Sequence, residues 1–195
     1  QSSDLLVRLF EDASTKSRKQ LRDIVTETEQ LLAYLKTAKK EDLSPKFGFS
    51  TDQLVALQES PEKLKSLTDA LKRLKQEVEG KDPFSKLLKT IRKVNEVGNN
   101  LDLTEKMQKI AEAAVPAIGA VKGLTSQFAE AARAAGSDEL ASQAEGVGGV
   151  LQGVSNIAQG FAQGGYVGAA IAAVGEGLKV VTSAFEAAAR HKQAL

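Results

Sequence analysis

The chain has 195 residues, enough for one domain with a sizeable core or two small ones. Apolar residues make up 42% and charged ones 26%, but aromatics only 5% and Trp none, so the core must be aliphatic, which suits helices. A net charge of +1 excludes a strong global pull on nucleic acid. The lack of Cys excludes disulfides, thiolate nucleophiles and Cys-based metal sites.

Charge is unevenly spread. Residues 1–100 hold 19 Lys/Arg and 16 Asp/Glu, whereas residues 101–195 hold 7 and 9. The expectation is one helical domain over 1–195, with a joint near 98–101 between a charge-rich N-terminal half and a Gly/Ala-rich C-terminal half. The chain begins with Gln1 rather than Met. An upstream piece is therefore expected to have been removed or not included; any signal peptide would already be gone, and the compartment stays open, a secreted or membrane-associated protein after processing being one expectation.

Strand signals are nearly absent, and helical periodicity runs throughout. A first helix is predicted from Asp4 to Lys40. Its apolar stripe is Leu6, Phe10, Ala13, Ser17, Leu21, Ile24, Thr28, Leu31 and Leu35. The small, polar stretch from Ala13 to Ser17 makes either a narrow waist or a break. "LSPKFGFS" (43–50) is a turn, with Pro45 and Gly48. Ser50 and Gln53 form a capping box that starts a short helix. Ser60-Pro61 opens the next, as N-cap and first helical residue. That helix carries Leu64, Leu67, Leu71, Leu74 and Val78, and Gly80 is expected to end it.

Asp82-Pro83 opens a helix with the stripe Phe84, Leu87, Leu88, Ile91 and Val94, stopped by Gly98-Asn99-Asn100. Asp102 and Glu105 cap the following helix. Its stripe is Met107, Ile110, Ala114, Ile118, Val121, Leu124 and Phe128, and Pro116 inside it is expected to kink it. Ser137 or Asp138 caps the next, with Leu140, Ala144, Val147, Leu151, Val154, Ala158 and Phe161 on one stripe. A turn is expected at Gly164-Gly165, with a last helix from about Tyr166 to His191. The fold class predicted is all-α: an antiparallel bundle of about six or seven helices with a central Gly/Ala-rich hairpin.

That hairpin is the main clue to function. From Gly146 to Gly175 there is no charged side chain. Gly146, Gly149, Gly153 and Gly160 share one helical face, as do Gly168, Ala172 and Gly175. Each glycine costs a helix about 1 kcal/mol relative to Ala. The expected offset is close backbone approach at small-xxx-small spacings such as Gly149/Gly153, Gly160/Gly164 and Gly164/Gly168. Gln152, Asn156, Gln159 and Gln163 make the first leg too polar for a conventional span. A conditional inserter, whose Gln/Asn face lines water or bonds across helices, fits better.

The stretch resembles the small-residue apolar hairpin that α-helical pore-forming proteins keep inside a helical bundle. It is also similar to the glycine-rich segment of phage tail tape-measure proteins, in runs such as "GFAQGGYVGAAIAAVG". The first resemblance implies lipid insertion, the second helical packing inside a tube.

In "DPFSKLLKTIRKVNEV", Lys86, Lys89 and Lys93 fall at i, i+3 and i+7, with Arg92 beside them and the apolar stripe opposite. A basic amphipathic helix of this kind docks on anionic lipid or in a partner groove. Catalytic, cofactor and metal sites are not expected. There is one His, His191; no Glu-x-x-His pair; and "GVGGVLQG" lacks the Lys-Ser/Thr of a phosphate loop. No basic recognition helix or aromatic platform points to nucleic acid. The expected function is a non-enzymatic membrane-interacting or pore-forming-type protein that inserts or self-associates, with membrane lipid or other helices as partners. The alternatives are an oligomerising structural or adaptor bundle, and a carrier of an apolar ligand.

Overall fold

A computed structural model describes residues 2–97 and 102–174. They are almost wholly helical, with no strand among them. The helices are α1 (Ser2–Thr37), α2 (Thr51–Gln58), α3 (Pro61–Lys75), α4 (Pro83–Val97), α5 (Leu103–Ala134) and α6 (Asp138–Val174). A 3-10 turn follows α1 at Lys40–Asp42, and a π-helical turn, Gln76–Lys81, continues α3.

Local sequence sets most boundaries. At Ser50 the capping box is complete: the Gln53 amide donates to Ser50 Oγ at 3.2 Å, and the Ser50 amide to Gln53 Oε1 at 2.9 Å. The Lys63 amide donates to Ser60 Oγ at 3.3 Å, with Pro61 in the first turn. The Glu105 amide donates to Asp102 Oδ1 at 2.8 Å, and the Leu140 amide to Ser137 Oγ at 3.1 Å. Of the two candidates before α6, Ser137 is thus the cap. Gly136, at φ +102, supplies the left-handed residue that ends α5.

Of the two forms open to α1, it is one helix through its waist, where Ala13, Ser14 and Ser17 are buried. Pro116 lies inside α5, where the sequence puts it, and is exposed. Two boundaries differ from expectation. Gly80 does not stop α3: the helix widens into the π turn through Gly80, and the chain leaves it at Asp82, at φ +37. Gly164-Gly165 is no turn: α6 runs unbroken to Val174. A glycine pair permits a turn but does not force one, and neither proline nor a capping side chain ends the helix there. The predicted hairpin is therefore absent from the described residues. The joint near 98–101 and the expected end of the last helix at His191 lie outside them.

The chain gathers into two compact units. One comprises residues 2–17, 83–97, 102–120 and 148–174 of those described; the other, residues 18–82 and 121–147. In the first, the stripes of α1, α4, α5 and α6 are buried through Phe10, Phe84, Ile91, Ile110, Ala114, Leu151 and Ile157. In the second, the core holds Leu21, Ile24, Leu31, Leu54, Leu57, Leu67, Leu74 and Phe128. Each such side chain contributes about 1.5–3 kcal/mol by leaving water.

The turn 43–50 is shaped by its backbone. Lys46 and Phe49 pair across it, at 3.0 and 3.2 Å, with Phe47 at φ +57 and Gly48 at φ +76. The Tyr34 hydroxyl accepts from the Ser44 amide at 3.1 Å, and the Phe47 ring meets Tyr34 edge-on at 6.2 Å. A Cβ on Gly48 would meet the Glu139 carboxylate, the far end of an exposed side chain that can swing aside. Gly48→Ala is therefore expected to cost about 1–2 kcal/mol in urea unfolding, chiefly from left-handed strain.

Glu27 is half-buried. Burial first, then the nearby charges of Glu139 and Asp23, raise its carboxyl pKa above 4.5. The folded state thus binds this proton more tightly than the unfolded chain, so this group stabilises as pH falls through its raised pKa towards 4.5. Glu27→Gln is expected to raise the unfolding free energy at pH 7 modestly, by about 0.5 kcal/mol or less, with a correspondingly small rise in the thermal midpoint, and this advantage over the parent protein is expected to shrink as the pH falls. Thermal unfolding of both proteins at pH 7 and pH 5 checks it.

Candidate lipid or partner contact surface

α4 separates its faces cleanly. Phe84, Leu87, Leu88 and Ile91 are buried, while Lys86, Lys89, Arg92 and Lys93 are exposed. The helix is fastened to α1 within its unit by polar contacts. Arg92 donates through Nε and Nη2 to Glu11 Oε1 at 3.1 and 3.0 Å, and Asn95 Nδ2 donates to Asp4 Oδ1 at 2.9 Å.

The four predicted basic contacts therefore divide. Arg92 is engaged by a carboxylate, whereas no ion pair among the described residues holds Lys86, Lys89 or Lys93. The Glu11 partner lies 81 positions away in sequence, so no local pattern could reveal it. The exposed row Lys86, Lys89, Lys93 ends with Glu96 one turn on. Its excess of positive charge is two.

The glycine rows of α6 also divide. Gly146 and Gly149 are exposed, and none of the described residues comes within 4 Å of where their Cβ atoms would be. Among the described residues, no backbone approaches these two positions closely. Gly153 is buried and Gly160 half-buried. Gly164, Gly165 and Gly168 lie within α6, but their surroundings are outside the described residues, as is Gly175 altogether.

Beside these glycines runs a polar row. Gln152 and Asn156 are half-buried and joined by a 3.1 Å hydrogen bond, and Gln159 and Gln163 are exposed. Leu151, Val154, Ile157 and Ala158 are buried. The helix thus carries an uncharged polar face against an aliphatic one. None of the described helices is long and apolar enough to cross a membrane. Nor do the described residues include a group of three His, Cys, Asp or Glu side chains that could hold a metal ion.

No protein-family model, curated protein or solved structure matches this chain.

Since Gly146 and Gly149 have open space around them, Gly146→Ala and Gly149→Ala are each expected to stabilise the protein by about 1 kcal/mol through helix propensity. Close packing at these positions would give a loss instead. Urea unfolding of each single variant separates the two.

Proposed function

We propose that this is a non-enzymatic helical protein that docks on anionic membrane surfaces through α4 and then inserts, or self-associates, through α6. The observation that carries the reading is the row Lys86, Lys89 and Lys93, exposed on an anchored helix and held by no carboxylate among the described residues. Arg92, bound to Glu11, serves to hold α4 in place. An ammonium near an anionic bilayer gains about 1 kcal/mol, and three on one face act together.

The neutral part of α6, residues 146–174, is about 43 Å long at 1.5 Å per residue, more than the ~30 Å hydrocarbon core. Its hydropathy, not its length, keeps it from being a lone span. Several copies, with Gln152, Asn156, Gln159 and Gln163 turned to a shared water-filled lumen and the aliphatic face to lipid, meet the requirement that polar groups be hydrated. That is the pore-forming form of the proposal.

The second reading is a structural or adaptor bundle that oligomerises or binds other helices. Exposed Gly146 and Gly149, with nothing over them, favour it, because a partner helix can approach such a surface closely.

Replacing Lys86, Lys89 and Lys93 together by Gln is expected to weaken binding to phosphatidylserine-containing vesicles on the order of a hundredfold, with little effect on binding to phosphatidylcholine vesicles. Vesicle co-sedimentation at two salt concentrations checks it. Binding that ignores both salt and the substitutions overturns the docking role of α4.

A further inference from the structure

The chain passes between its two compact units four times: at Ser17/Arg18 in α1, Asp82/Pro83 before α4, Ala120/Val121 in α5 and Val147/Gly148 in α6. Each passage falls on a local weakness of the helix backbone, of a different chemical kind.

In α1, the Ser14 and Ser17 side chains are fully buried, and their hydroxyls have no hydrogen-bond partner among the described residues. Thr28, on the same helix, shows the ordinary solution, bonding back to the Ile24 carbonyl at 2.7 Å. Before α4, the π turn and the left-handed Asp82 interrupt regular α geometry. In α5, Pro116 removes one backbone hydrogen bond shortly before Gly119 and Gly123. In α6, Gly146, Gly148 and Gly149 cluster at the passage.

The glycines are the telling part. Gly48 and Gly136 have positive φ and are required by their turns. Gly80, Gly119, Gly123, Gly146 and Gly149 are exposed, without positive φ, and with nothing within 4 Å of where a Cβ would sit. Neither backbone conformation nor packing among the described residues calls for glycine there. All five lie within three residues of a passage between units. A glycine in an exposed helix raises the population of locally opened backbone relative to alanine.

We infer that the four passages are compliant joints, about which the two units move by local bending and opening of α1, α5, α6 and the π turn. The units themselves, with their aliphatic cores, move as bodies. Small residues at the joints let the backbone change its dihedrals without unpacking either core.

The chain has no Cys, so nitroxide pairs can be placed at will. One pair joins the units, Gln108→Cys with Lys72→Cys; a control pair lies within one unit, Lys72→Cys with Glu130→Cys. All three positions are exposed. In pulsed electron resonance the inter-unit distance distribution is expected to be clearly broader than the control. Replacing Gly119, Gly123, Gly146 and Gly149 by Ala is expected to narrow the excess width by roughly half and to slow amide exchange around each site roughly fivefold. An inter-unit distribution as narrow as the control, or one the alanines leave unchanged, overturns the inference. So does a wild-type dimer in sedimentation that the alanine variant lacks, because the glycines would then serve packing between copies. No membrane enters these measurements, so their outcome is independent of the docking role of α4.

Discussion

An aliphatic stripe is what each helix of this protein has to offer, and its burial is the constraint on which the rest depends. With few aromatics and no Trp, each contact patch is modest, so burial must be accumulated along length. α1, α5 and α6 run to 36, 32 and 37 residues, and each contributes to both compact units. A helix of that length satisfies its own backbone hydrogen bonds wherever it goes. It can therefore carry poor helix formers through, provided its stripe is buried on either side of them.

This is why weak sites survive inside continuous helices. Ser14 and Ser17 sit between buried Phe10 and buried Leu21; Pro116 lies between Ala114 and Ile118; Gly146 and Gly149 flank Val147. The neighbours hold the geometry, and the weak residue is carried along. The cost appears in local opening rather than in the average structure. A protein whose cores are firm and whose connecting backbone is soft can change the relation of its parts without losing either core.

The surface is organised by the same division of labour. α4 is held down by Phe84, Leu87 and Ile91 beneath and by Arg92 and Asn95 at its flank, bonded to Glu11 and Asp4. That leaves three lysines on a rigid support. From Gly146 to Gln163 α6 carries no charged residue and presents Gly146, Gly149, Gln159 and Gln163, with Gln152 and Asn156 half-buried beside them. A uniformly apolar helix would be buried, and a charged one would stay in water. A neutral polar face opposite an aliphatic one is compatible with either environment.

The all-α class, the capping boxes and the buried stripes were legible in the sequence, because capping residues act on amides three positions away and a stripe repeats every three to four residues. Ser50, Ser60, Ser137, Phe10, Leu74, Ile91 and Leu151 all stand where period and cap chemistry put them. Tertiary structure alone decided what glycine means at each position. Gly48 and Gly136 turn the chain, Gly146 and Gly149 face open space, and Gly164-Gly165 continues a helix. The reason is physical: a residue without a side chain permits every one of these conformations and selects none, so its neighbours in space choose for it. The fate of Arg92 was decided the same way, by Glu11, a partner brought from 81 residues away.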